Sequence, residues 1–111
     1  MEKLFIGYLM SKQLIVTLAD RSYPITIGNG LLTDITPFKL TVGKRVLIVT
    51  NSTIAQLYLA NLTNMLSAQN IMADHVILPD GEKYKTLDTW NQIFTALLEK
   101  NHTRQSTIIA L

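Results

Sequence analysis

Two short polar segments hold the side chains of this sequence best placed to do chemistry, and each follows an apolar run. The first is Thr50-Asn51-Ser52-Thr53, behind VLIVT; the second is Pro79-Asp80-Gly81-Glu82-Lys83-Tyr84-Lys85, behind HVIL. In the second, Gly81 allows a close approach of backbone to a ligand. The Glu82 carboxylate can accept hydrogen bonds from the hydroxyl pair of a ribose, and Lys85 can reach a phosphate or a partner carboxylate. The same residues also describe an ordinary polar turn in which Glu82 and Lys85 are a solvated ion pair. Composition alone favours that simpler description, because P-D-G is among the commonest turn signatures. In the first segment Asn51, Ser52 and Thr53 are preferred helix N-caps, a role compatible with ligand contact. His75 and His102 read as structural or solvated rather than as metal ligands. No G-x-G-x-x-G, P-loop, H-E-x-x-H or G-x-S-x-G motif is present.

The elements that must carry these segments follow from hydrophobic periodicity. Residues 14–18 (LIVTL) and YPITIG form an antiparallel hairpin across the polar turn ADRS, with Pro24 confining the second arm to an edge. LLTDITPF is a short connector stopped by Pro37, and TVGKR is a loop turning at Gly43. Residues 46–50 are continuously apolar, the mark of a strand buried on both faces of a parallel sheet. A helix starting at about Ser52 places Ile54, Leu57, Tyr58, Leu62, Met65 and Leu66 on its core side and stops at Asn70. HVIL (75–78) is the next strand. Thr86 opens a second helix with Leu87, Trp90, Phe94, Leu97 and Leu98 as its core stripe and Lys100 suiting the dipole of its last turn. STIIAL (106–111) is a third buried strand. The fold class is therefore α/β: an N-terminal β-hairpin followed by a β-α-β-α-β Rossmann-like parallel half-sheet. In such sheets ligands bind at the carboxyl ends of the strands, where both polar segments fall.

Composition bounds the alternatives. With 111 residues the chain is one domain at most, and 48% hydrophobic against 16% charged residues is enough to build a core. The absence of cysteine excludes disulfide scaffolds and cysteine-ligated zinc modules. A net charge of +2 with scattered Lys and Arg gives no footprint for nucleic acid. No apolar run approaches the ~20 residues of a membrane helix, and MEKLFIGYLM is a poor secretion signal, so a soluble cytoplasmic protein is expected, with no membrane partner. Residues 1–13 read as a leader or disordered start. An apolar strand at the end of the sequence reads as the front piece of a larger protein.

LPDGEKYKT (78–86), following a strand and opening a helix, resembles the dinucleotide-contacting segment of 3-dehydroquinate synthases. LADRSYPITIGNGLL resembles that family's N-terminal hairpin, VLIVTNSTIAQLYL its first parallel strand with an Asn at the tip, and STIIAL the strand leading to its glycine-rich loop. The likeness covers residues 14–111. It implies the N-terminal part of the NAD-binding domain of a lyase of the shikimate pathway, and so of chorismate and aromatic amino acid biosynthesis. Such an enzyme converts 3-deoxy-D-arabino-heptulosonate 7-phosphate to 3-dehydroquinate and phosphate, with catalytic NAD and a divalent metal, zinc or cobalt. In that family NAD+ transiently oxidises a substrate alcohol, phosphate is eliminated, the hydride returns, and an intramolecular aldol step closes the ring. Carried onto this sequence, Asn51 contacts NAD, and Asp80, Gly81, Glu82 and Lys85 line its site with Glu82 on the adenosine ribose. Lys83 and Tyr84 lie inside the same segment. No catalytic residue and no metal ligand carries over. The glycine-rich loop, the substrate-binding lysines and the C-terminal helical domain with its Glu and two His ligands have no counterpart in these residues. The resemblance thus implies a homodimer for the complete enzyme and no turnover by this chain alone. A metal-dependent polyol or alcohol dehydrogenase of related fold, or a non-catalytic interaction module, are the rival readings; DGEKYK favours the synthase.

Overall fold

The computed structural model describes residues 11–34, 36 and 43–111; of the start read as a leader at 1–13, residues 1–10 lie outside them, as does Pro37, while residues 11–13 belong to a strand. Strands β1 (Ser11–Val16) and β2 (Tyr23–Gly28) pair antiparallel, from Ser11↔Gly28 to Val16↔Tyr23. β1 spans Ser11–Val16 rather than 14–18, because the chain leaves the ladder early to close the turn. There the Leu18 N–H donates to Ser22 Oγ at 2.8 Å, over a 3₁₀ turn at Ala19–Arg21. Pro24, which has no N–H to give, sits one residue into β2 of this two-stranded sheet, where both strands are edges. Gly30, at φ 71°, turns the chain into a short 3₁₀ connector, Leu31–Thr33. Leu32 in that connector packs against the main core.

Strands β3 (Arg45–Asn51), β4 (Met72–Leu78) and β5 (Thr107–Ala110) form a parallel sheet in the order β4-β3-β5. The central position of β3 explains its unbroken apolar run: Val46, Leu47 and Ile48 are fully buried. β4 begins at Met72, before the HVIL run. Its polar Asp74 belongs to the ladder opposite Leu47 and is held by partners described below. β5 is only half-buried, with Ile108 exposed, because it forms the other edge of the described sheet.

Helix α1 (52–68) consists of Ser52–Ile54, a π-helical turn at Ala55–Leu59, and Ala60–Ala68. Asn70 follows it in the left-handed region (φ 58°), the stop expected of it. Leu62, Met65 and Leu66 are buried against Val46 and Ile48, with Leu59, Ala73 and Ile109 around them. Leu57 and Tyr58, expected on the same stripe, are exposed. The π turn inserts an extra residue into the helical repeat, so the inward phase passes through Leu59 instead.

Helix α2 (Leu87–Glu99) links β4 to β5. The chain moves from β3 to β4 in one direction and from β4 to β5 in the other. Right-handed crossovers therefore put α1 and α2 on opposite faces of the sheet. The expected core stripe of α2 is corrected: Leu87, Trp90, Phe94 and Leu98 are exposed, while Thr89, Ile93, Ala96 and Leu97 are half-buried. The apolar arc of α2 is wider than the part that three strands can cover. Trp90 and Phe94 pack on each other edge-to-face, with centroids 4.4 Å apart.

A polar network fastens the far end of α2. The Arg45 guanidinium donates to Asn101 O at 2.8 Å and to Lys100 O, and it lies 3.5 Å from Asp74 Oδ2. The same carboxylate oxygen is 2.8 Å from Nε2 of His102, whose side chain is 1% exposed. Arg45 thus answers the helix C-terminus directly, beside Lys100 at the C-cap. His102 is structural, with an acidic partner distant in sequence.

Leu62→Ala should cost about 2–5 kcal/mol in urea unfolding, whereas Leu57→Ala should stay within ~0.5 kcal/mol. Equal costs would contradict the phase set by the π turn. Arg45→Met, which takes the donor from two carbonyls and leaves Asp74 with His102 alone, should cost about 0.5–1.5 kcal/mol in the same assay.

Candidate functional site

The carboxyl end of β3 is where the strand order reverses, and the loops leaving β3 and β4 part there to leave a crevice of about 610 Å³. Asn51, Asp80, Gly81, Glu82, Tyr84 and Lys85 line it together with Val49, Thr50, Leu78, Pro79, Thr89 and Leu111. The structure therefore gathers both polar segments at one place. Lys83 is the exception among the residues read from the sequence: it is outside the lining, with Nζ 5.1 Å from the Tyr84 ring centroid.

Asn51 ends β3 in extended conformation and caps α1, its Oδ1 accepting from the N–H of Thr53 at 3.0 Å and of Ile54 at 2.9 Å. The cap commits the carboxamide oxygen and leaves the NH₂ end to donate. On the facing wall, Gly81 has φ 121° and ψ 150°, a conformation essentially reserved for glycine. A Cβ there would meet only Tyr84 Cδ2, at 3.9 Å, so backbone conformation rather than space demands the glycine. A 3₁₀ turn over Glu82–Tyr84 follows, with the Tyr84 N–H donating to Gly81 O at 3.1 Å and the Lys85 N–H to Glu82 O at 3.0 Å. Thr86 then caps α2, its Oγ1 accepting from the Thr89 N–H at 3.3 Å.

The charges are balanced and wet. Lys85 Nζ is 2.9 Å from Glu82 Oε1, and both side chains are mostly exposed, so the pair adds little stability and either group is free to take a ligand instead. Two hydroxyls of the Thr50–Thr53 segment matter here. Thr53 Oγ1 donates to Asp80 Oδ2 at 2.8 Å, joining the two walls. Thr50 Oγ1 is buried with no hydrogen-bond partner. A hydroxyl inside an otherwise apolar buried strand was the available signal for Thr50; nothing in the spacing pairs Thr53 with Asp80. Among the described residues no group of three His, Cys, Asp or Glu side chains could hold a metal ion, and none of their helices is long and apolar enough to cross a membrane.

Residues 75–111, from β4 through the turn and α2 to β5, match the family described as 3-dehydroquinate synthase N-terminal. The chain carries a dehydroquinate-synthase-like segment. Its three-dimensional likeness includes 2-deoxy-scyllo-inosose synthase, in a structure complexed with carbaglucose-6-phosphate, NAD+ and Co2+. The TM-score is 0.72 at 16% identity, over 87% of this chain and 27% of that one. At that identity the likeness concerns the fold, and the chain spans about a quarter of the length of that structure. The dehydroquinate-synthase-like segment holds the Asp80–Lys85 wall of the crevice, while Asn51 stands before it in the sequence and meets it only through the sheet.

Asn51→Ala should lower stability by about 1 kcal/mol, and Asn51→Asp, which keeps an acceptor, should lower it less. Gly81→Ala should cost about 1–3 kcal/mol or reshape the turn, detectable as amide shift changes confined to residues 79–86. A silent Gly81→Ala would show that the φ of 121° is not required.

Proposed function

We propose that this chain is the NAD-contacting N-terminal part of a 3-dehydroquinate synthase, with residues 14–111 belonging to its nucleotide-binding domain. The observation that carries the reading is the Asp80–Lys85 turn. It lies inside the matched segment, starts from a glycine-only backbone, and faces Asn51 across the crevice at the strand reversal.

In this reading Glu82 accepts from the two hydroxyls of the adenosine ribose, and Lys85, 2.9 Å from that carboxylate, orients it. Gly81 lets the ligand lie against the main chain, and the Asn51 NH₂ and Thr50 hydroxyl offer further polar contacts from β3. Asp80 and Tyr84 shape the same wall, and Lys83 acts on it only through the Tyr84 ring. NAD supplies reversible hydride acceptance from a substrate alcohol when bound. The described side chains do not fit a zinc or cobalt centre, so no step is assigned to a metal here.

The first N–H groups of α1 are taken by Asn51 and that of Thr89 in α2 by Thr86, which leaves few backbone donors for a diphosphate. Affinity for NAD+ is accordingly weak, and the chain alone does not turn over. The fold likeness to 2-deoxy-scyllo-inosose synthase supports a second reading, a related cyclase acting on a different sugar phosphate. The homodimer, the cytoplasmic setting and the shikimate-pathway role belong to the proposal for the complete enzyme.

Titration with NAD+ should shift the amides of Asn51, Gly81 and Glu82, with calorimetry giving a Kd well above the low micromolar range. Incubation with 3-deoxy-D-arabino-heptulosonate 7-phosphate, NAD+ and zinc should release no phosphate above background. Low-micromolar binding or clear phosphate release would contradict the reading.

A further inference from the structure

We propose that Thr53 is a positioning residue which, through its hydrogen bond to Asp80, clasps the two walls of the crevice and sets the Asp80–Lys85 turn. The inference rests on reading the crevice as the nucleotide site. The parallel ladder registers β3 and β4 as far as Asn51↔Leu78. Beyond that pair, among the described residues, a single side-chain hydrogen bond joins the two loops: Thr53 Oγ1 to Asp80 Oδ2, 2.8 Å.

Thr53 is tied at both of its donors. Its N–H goes to the Asn51 cap at 3.0 Å, beside that of Ile54 at 2.9 Å, and its O–H to Asp80, so one residue touches both walls. Asp80 directly precedes Gly81, the most permissive point of the backbone here, and among the described residues Pro79 and this bond restrain its N-terminal side. The clasp also brings a carboxylate to the first turn of α1, where the helix dipole favours negative charge. With Asn51 on its N–H groups and Asp80 beside them, the start of α1 is occupied by the chain's own acceptors. The crevice between these walls therefore takes the uncharged, hydroxyl-bearing part of a nucleotide, not its phosphates.

The test uses the ¹⁵N-labelled chain with Thr53→Val, Thr53→Ser, Asp80→Ala and Asp80→Asn. Thr53→Val keeps the side-chain shape and loses the O–H; Asp80→Ala removes the acceptor from an exposed turn, where folding is not at stake. Both should lower the heteronuclear NOE at Gly81, Glu82 and Tyr84 while leaving the amide shifts of β3, β4 and α2 in place. Thr53→Ser and Asp80→Asn, which keep donor and acceptor, should restore the turn. Adenosine, an uncharged probe, should bind about three- to tenfold more weakly to Thr53→Val and normally to Thr53→Ser. An ordered turn in both Thr53→Val and Asp80→Ala, or a Thr53→Ser that behaves like Thr53→Val, overturns the clasp. If adenosine binds none of the proteins, the nucleotide reading fails, and the turn dynamics still decide the clasp.

Discussion

Because β3 pairs with β4 on one edge and with β5 on the other, the chain has to reverse its direction across the sheet, and most of what the molecule can do follows from that reversal. It buries β3 on both faces, which only an unbroken run such as Val46-Leu47-Ile48 tolerates. It sends α1 and α2 to opposite faces, so the loops that lead into them diverge over the carboxyl end of β3. The crevice is a product of topology, and the residues that give it chemistry are those that happen to end β3 and β4. At the opposite end of the sheet Arg45, Asp74 and His102 fix the return of α2, so the helix whose start forms one wall is held at its other end as well.

The fold class was legible because it depends on coarse patterns: apolar strands of β-branched residues, helices opened by Asn51 and Thr86, and turns at Gly30 and Asn70. The phase of each helix was less so. A π turn at Ala55–Leu59 leaves no simple trace in spacing, and it turned Leu57 and Tyr58 outward. On α2 the periodicity located an apolar arc but could not say which edge of it the sheet would use: Leu97 lies inward as expected, but with Ile93 rather than with Trp90 and Phe94. Strand ends slipped for a similar reason: the polar residues Lys12, Gln13 and Asp74 are held in ladders by backbone pairing that takes no account of side-chain type.

The site divides in the same way. Gly81, Glu82 and Lys85 were visible because turn chemistry and charge are local properties, and the structure gathers them with Asn51 and Asp80. Thr53 with Asp80, and Asp74 with His102, are contacts between residues 27 and 28 positions apart, made only when the sheet brings two loops or a strand and a helix end together. Among the described residues, the exposed apolar side chains of the hairpin and of α2 leave apolar surface that the sheet does not cover.

The central claim is that the crevice over β3 receives the adenosine end of a dinucleotide. Saturation-transfer difference NMR of the chain with NAD+ tests it most directly, because the chain is the only source of saturation and each proton of the ligand reports its own proximity. The account predicts the strongest transfer to the adenosine ribose protons and little to the nicotinamide ring. Transfer centred on the nicotinamide, or spread evenly over the whole molecule, would contradict it.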